Sequence, residues 1–152
     1  MSIRPFRIEV PDAVLDDLQR RIDATIWPQT LPDAGWDYGT NLDELRALVE
    51  HWRHQYDWRA VESELNRLPQ LLVSVDGMDV HCIHARGRGP APRPLVLTHG
   101  WPSTVYELHR LVGPLADPAA HGGDPGASFD VVVPSLPGYG WSSPPMTRGF
   151  GA

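Results

Sequence analysis

The segment THGWPST, Thr98–Thr104, sets a glycine, a Trp-Pro bond and two hydroxyl residues between an apolar run and a helical pattern. At a strand-to-helix junction the first main-chain N–H groups have no intrahelical partner, and the helix dipole favours negative charge beside them. Gly100 lets the chain turn with no Cβ in the way. Pro102 fixes φ, and its bond to Trp101 can be cis at small cost. A turn of this kind holds the Trp101 N–H toward a developing oxyanion, a contact worth about 2.7–4 kcal/mol in a transition state. The same residues also suit a tight turn whose Trp101 side chain is simply packed. The spacing alone leaves both readings open.

Other chemistry-bearing residues read as structural. His51 and His54, three apart on a helical pattern, could share a metal but read as a solvated face. His81 and His84 are three apart in an extended run, so they face opposite sides and do not ligate jointly. Cys82 reads as a small core residue, since no Gly-rich elbow surrounds it. Ser135 and Ser142 lack a G-x-S-x-G setting. Trp52, Tyr56 and Trp58 read as core packing. No GxGxxG or GKS/T element occurs, and neither a metal nor a cofactor is expected.

The positioning elements follow from hydrophobic period. Asp12 is placed as the N-cap of a first helix carrying Val14, Leu15, Leu18, Ile22 and Ile26, with Pro28 as its stop. An aromatic loop, WPQTLPDAGWDYGT, follows. Thr40 or Asn41 caps a second helix bearing Leu45, Leu48, Val49, Trp52 and Tyr56, and Asp57 caps a third with Trp58, Val61, Leu65 and Leu68. The runs LLVSV and MDVHCIHA around Asp-Gly predict a hairpin. A strand over Pro94–Thr98, a helix with capping-box spacing at Thr104 and Glu107, and a strand over Phe129–Pro134 complete the pattern. Two strands joined through a helix imply a parallel pair, and the hairpin makes the sheet mixed. Ligands of such sheets sit beyond the carboxyl ends of the strands, here at His99–Ser103 and Ser135–Ser143.

Composition divides the chain. Residues 1–85 hold 15 acidic residues and 8 Arg, a balance of −7, whereas residues 86–152 hold 4 and 5, a balance of +1. Of the 30 Gly and Pro, 22 fall in the second part, and RGRGPAPRP, Arg86–Pro94, reads as a linker. The expected organisation is a helical segment over 1–70 and the start of an α/β core over 71–152. Its longest apolar runs are three residues, too short to span a bilayer. The start, MSIRPFRIEV, has no secretory h-region. A single Cys excludes an internal disulfide and fits a cytoplasmic location, and a pI near 5.5 gives no reason to expect nucleic acid.

HGWPSTVYEL resembles the HGWP motif of microsomal-type epoxide hydrolases, within the α/β-hydrolase superfamily. The stretches VPDAVLDDLQRRIDATIWP, GWDYGTNLDELRALVEHWRHQYDWRAVESELNRLPQ, VDGMDVHCIHAR and PSLPGYGWSSP resemble successive parts of that family's N-terminal region, so the likeness covers essentially the whole chain. Ser103 departs from the Gly common at its place, which bears on the helix start more than on the Trp101 N–H. The fold implied is α/β, a helical N-terminal segment followed by the first strands of a mixed α/β-hydrolase sheet, incomplete as given.

The resemblance implies a two-step hydrolysis. An Asp carboxylate attacks an epoxide carbon of a small apolar substrate to form an ester, while two lid tyrosines protonate the departing oxygen. A His with an acidic partner then activates water against the ester. Trp101 is implied as the backbone oxyanion donor with its indole lining the pocket, His99, Gly100 and Pro102 shape the loop, and Trp36 and Tyr139 are candidate pocket residues. The family's nucleophile follows a strand in a Gly-Gly-Asp-Trp-Gly-like elbow. Gly122-Gly123-Asp124 is not that elbow: Asp124 precedes a strand, and Pro125 has no N–H for an oxyanion. With Gly151-Ala152 closing the sequence ahead of the elbow, nucleophile, base, acid and lid are expected to fall outside it, leaving these residues inactive alone. Two alternatives stand beside this reading: a non-enzymatic binding protein, or the start of a neighbouring esterase or dehalogenase. An unpaired edge at Leu95–Thr98 implies poor solubility or self-association.

Overall fold

The computed structural model describes residues 2–149; the closing Gly151-Ala152 lies outside the described residues. Contacts divide the chain into two compact units, residues 9–61 and the remainder.

Within residues 9–61, α1 spans Asp12–Asp23 and α2 spans Leu42–His54. Asn41 caps α2, its side chain accepting from the N–H groups of Asp43 and Glu44, and Asp57 accepts from Ala60 at the start of α3, Trp58–Leu65. Two expectations are corrected. Asp12 is the first residue of α1 and not its cap; Pro11 holds that place, and the Asp12 carboxylate pairs with Arg59. The helix also stops at Asp23, short of Ile26: Ala24 leaves helical geometry at the C-cap, and the end is tightened by a Thr25 N–H to Ile22 carbonyl bond of the 3-10 type. No residue of α1 or α2 is buried. Trp52, Tyr56 and Trp58 therefore do not form a closed core: with Val14, Leu15 and Leu18 they line an open apolar groove of about 730 Å³.

The remainder is built on one five-stranded sheet in the order β1-β2-β3-β5-β4. Its strands are β1 (Ile3–Phe6), β2 (Gln70–Val75), β3 (Met78–Ala85), β4 (Arg93–Val96) and β5 (Phe129–Pro134). The hairpin is as expected, with Asp76 and Gly77 both at positive φ in its turn. Pairing of β3 with β5 is antiparallel and of β4 with β5 parallel, so the sheet is mixed. Strand β1 was not legible: IRPF contains a proline and does not alternate, and it holds an edge position where proline is tolerated.

Between β4 and β5 the helix begins in a 3-10 turn, Val105–Glu107, and continues as α4, His109–Ala116. The expected capping box is half present. Thr104 accepts from the Tyr106 N–H, while Glu107 donates its main-chain N–H to the Thr104 carbonyl. Val105, Val112 and Ala116 pack on Ile83, Val131 and Val133 to form the core. Arg86–Pro94 is a fixed connection and not a linker. Gly87 donates to Asp130 and Gly89 to the Ser128 hydroxyl, and a Cβ at Gly89 would lie 2.0 Å from the Pro125 carbonyl oxygen. Strand β4 forms the far edge of the sheet among the described residues, with Val96 61% exposed.

Candidate functional site

Strands β4 and β5 run parallel, so the loops leaving their carboxyl ends, His99–Ser103 and Ser135–Ser143, open on the same side. In the first, the Trp101-Pro102 bond is cis and the Ser103 N–H donates to the Gly100 carbonyl at 2.8 Å, closing a turn with cis-Pro at its third position. Trp101 is 82% exposed. The steric reason expected for Gly100 is corrected: its φ is not left-handed, and a Cβ there would meet nothing within 4 Å among the described residues.

His99 is buried and joins the two loops. Its Nε2 accepts the Leu136 N–H at 3.1 Å, so that nitrogen carries no proton, and Nδ1–H faces the Gly100 carbonyl at 3.3 Å. Tyr139 stands edge-on to the imidazole, 5.2 Å between ring centroids. The Gly100 carbonyl thus receives two donors, His99 and Ser103. In a trans peptide the N–H points away from the C=O of the same plane. Fixing the Gly100 carbonyl therefore aims the Trp101 N–H outward, where it takes no partner among the described residues. The arrangement offers one pre-aimed main-chain donor at the carboxyl end of the sheet.

Beneath the second loop lies a buried polar network that sequence reasoning missed. His81 is fully buried; Nε2–H donates to Gln70 Oε1 at 2.9 Å, and Nδ1 accepts from the Ser135 hydroxyl at 2.8 Å. The Gln70 amide is oriented by donating to the Leu65 carbonyl at 3.0 Å, which fixes the His81 tautomer. Ser142 Oγ accepts from the His81 N–H and donates to the Ser135 carbonyl. Phe6 and Trp141 flank the imidazole. Burial without a compensating carboxylate pushes the His81 pKa down to about 4, so the ring is neutral. Gly140 is required here, since its φ is +52° and a Cβ would lie 2.9 Å from Ser135 Oγ. The partners of His81 stand 11 and 54 residues away in sequence, and no local spacing announces them.

The remaining candidates are dispersed. Burial raises the Cys82 thiol pKa, His54 pairs with Glu50, and Trp36 is exposed in the 9–61 unit. Asp124 caps a 3-10 turn ahead of β5 by accepting the Gly126 N–H, which is no place for a strand-to-helix elbow. No helix among the described residues is long and apolar enough to cross a membrane.

The mixed sheet with its helix-joined parallel pair is an α/β arrangement, and a family model described as the alpha/beta hydrolase fold matches residues 93–152. A second model, described as the epoxide hydrolase N terminus, matches residues 3–108, and the chain belongs to that family. A relative from Stigmatella aurantiaca is 45% identical over 149 residues, covering 98% of this chain and 34% of its own length. Epoxide hydrolase 1 of Oryctolagus cuniculus is 36% identical over 153 residues, with the same coverage of each. The solved structure of Aspergillus niger epoxide hydrolase superposes with a TM-score of 0.83 at 31% identity, covering 98% of this chain and 39% of that one. The chain thus spans about a third of the length of the curated relatives it matches.

Proposed function

We propose that these residues supply the N-terminal helices, the first strands and the oxyanion loop of an enzyme that converts small apolar epoxides to vicinal diols through an aspartyl ester. The observation that carries the reading is the Gly100–Trp101 peptide, whose carbonyl is held by His99 and Ser103 while the opposite N–H takes no partner among the described residues. When water adds to the ester, the carbonyl oxygen becomes an oxyanion, and a fixed N–H stabilises that charge more than the ground-state carbonyl. The reaction needs carboxylates, tyrosines, a His and water, with no metal or cofactor.

The test is a chimera in which residues 1–152 replace the matching segment of the Aspergillus niger enzyme. It is expected to form phenylethanediol from styrene oxide. Trp101→Ala keeps the N–H, whereas Trp101→Pro deletes it and should slow ester hydrolysis about 10²–10³-fold relative to Trp101→Ala, with the epoxide adduct accumulating by mass spectrometry. A folded chimera without diol formation overturns the assignment; equal rates in the two variants overturn the role of the N–H.

We also propose self-association of a polypeptide ending at residue 152, through the open edge of β4. An exposed apolar strand edge pairs with a second copy unless it is covered or charged. Light scattering should show species larger than a monomer, and Val96→Lys should reduce them. A sharp monomer peak at every concentration would rule the association out.

A further inference from the structure

We infer that His81 is a positioning residue for the Trp101 N–H, acting through Ser135, Leu136 and His99; the inference rests on the oxyanion reading above. The connection is continuous. The His81 Nδ1 lone pair takes the Ser135 hydroxyl at 2.8 Å, and the Ser135 N–H is bound to the His81 carbonyl at 2.8 Å. Ser142 ties the loop's other end to the same residue, accepting the His81 N–H and donating to the Ser135 carbonyl. Ser135 is therefore fixed at hydroxyl, N–H and carbonyl, which sets the direction of the next peptide. That peptide's Leu136 N–H is the group that fixes His99 Nε2. His99 in turn fixes the carbonyl edge of the plane whose other edge is the Trp101 N–H.

The residue types fit this task. A neutral imidazole is both donor and acceptor, so His81 bridges a fixed acceptor, Gln70 Oε1, and a rotatable hydroxyl, Ser135. Full burial between Phe6 and Trp141 keeps water from competing for either bond. Two of its partners, Ser135 and Ser142, belong to the loop beyond β5, and Gly140 is required by the Ser135 hydroxyl. Support of this kind is what holds a donor to the sub-ångström tolerance that catalysis needs.

The two halves of the imidazole can be replaced separately. An Asn places its Oδ1 near Nδ1 and still accepts from Ser135; a Gln places its Nε2 near the imidazole Nε2 and keeps only the Gln70 bond. In the active chimera, His81→Gln and Ser135→Ala are expected to lower kcat about tenfold to a hundredfold. KM should fall with it and kcat/KM be preserved, because ester hydrolysis slows while ester formation does not. His81→Asn should stay near the parent rate, and His81→Gln with Ser135→Ala should be no slower than either alone. Loss of kcat at unchanged KM, equal impairment of His81→Asn and His81→Gln, or no effect of Ser135→Ala would overturn the inference. A second readout does not use turnover. The Leu136 and Trp101 amide N–H resonances should shift in His81→Gln and Ser135→Ala but not in His81→Asn. If the parent chimera forms no diol, the function fails while these shifts still decide whether His81 sets the loop; if His81→Gln does not fold, Ser135→Ala decides alone.

Discussion

A polypeptide consisting of residues 1–152 is expected to form no phenylethanediol from styrene oxide above the rate in buffer, whereas the Aspergillus chimera turns over. Enzymes exceed uncatalysed rates by about 10⁶-fold or more, so the contrast is large. The reason is positional. A nucleophile for this reaction must leave the carboxyl end of a parallel strand and enter a helix, so that an N–H of the next residue can join the oxyanion site. Of the two parallel strands, β4 is the one that feeds a helical segment among the described residues, and its turn is filled by His99–Ser103. Asp124 precedes β5, and Asp130 lies within it, accepting the Gly87 N–H. Asp79, on β3, is held by the Ser74 hydroxyl and by Arg4, which keep its carboxyl below the usual range. None of these carboxylates is free at the open end of the sheet. Gas chromatography of the extracted diol, with the chimera as positive control, reads the result; diol at the chimera's rate would show that a nucleophile is present after all.

What the sequence disclosed follows the range of the forces involved. Local signals were reliable: Asn41 and Asp57 cap their helices, Asp76-Gly77 turns the hairpin, and β5 has the expected limits. These depend on φ, on a side chain two or three residues away, or on alternation within one strand. Pro102 marked a bond that can be cis, and the Trp101-Pro102 bond is cis. Where competing partners act over distance, local reasoning failed. Asp12 looked like a cap until Arg59, 47 residues on, took its carboxylate. RGRGPAPRP looked like a linker because glycine and proline are shared by flexible chain and by tight packing. Only the Pro125 carbonyl and the Ser128 hydroxyl, pressed against Gly89, distinguish the two.

The apolar faces of α1 and α2 show the same limit from the other direction. Their helical period is as read, yet neither helix buries a residue. Periodicity reports that a face is apolar, not what covers it. Similarly, Gly100 satisfied a general argument about Cβ clashes that no described neighbour supports. The His81 network was beyond reach for a third reason. A neutral buried imidazole is defined by its partners, and Gln70 and Ser135 reach it only across the sheet.

Acid is expected to destabilise the sheet unit by about 3 kcal/mol between pH 6.5 and 4, through His81 alone. The folded pKa is pushed down to about 4 by burial, whereas an unfolded His titrates near 6.5. Between these values the unfolded chain binds a proton that the folded one refuses, so stability falls as pH drops through the window and levels off below it. Above pH 6.5 both states are neutral and no dependence arises from this residue. Protonating Nδ1 in place would also turn the Ser135 hydroxyl away, so relief by rearrangement breaks the loop support. The lowered carboxyl of Asp79 contributes in a separate range, because stability held by a depressed carboxylate is lost only as pH falls below its unfolded value of 3.8. Urea midpoints of the 152-residue chain at pH 7 and pH 4.5, measured below the concentration at which it associates, should differ by most of this amount. In His81→Asn, which has no titrating ring, the difference should largely vanish. An equal acid loss in the variant would mean that the dependence comes from elsewhere and that His81 is not held neutral by its burial.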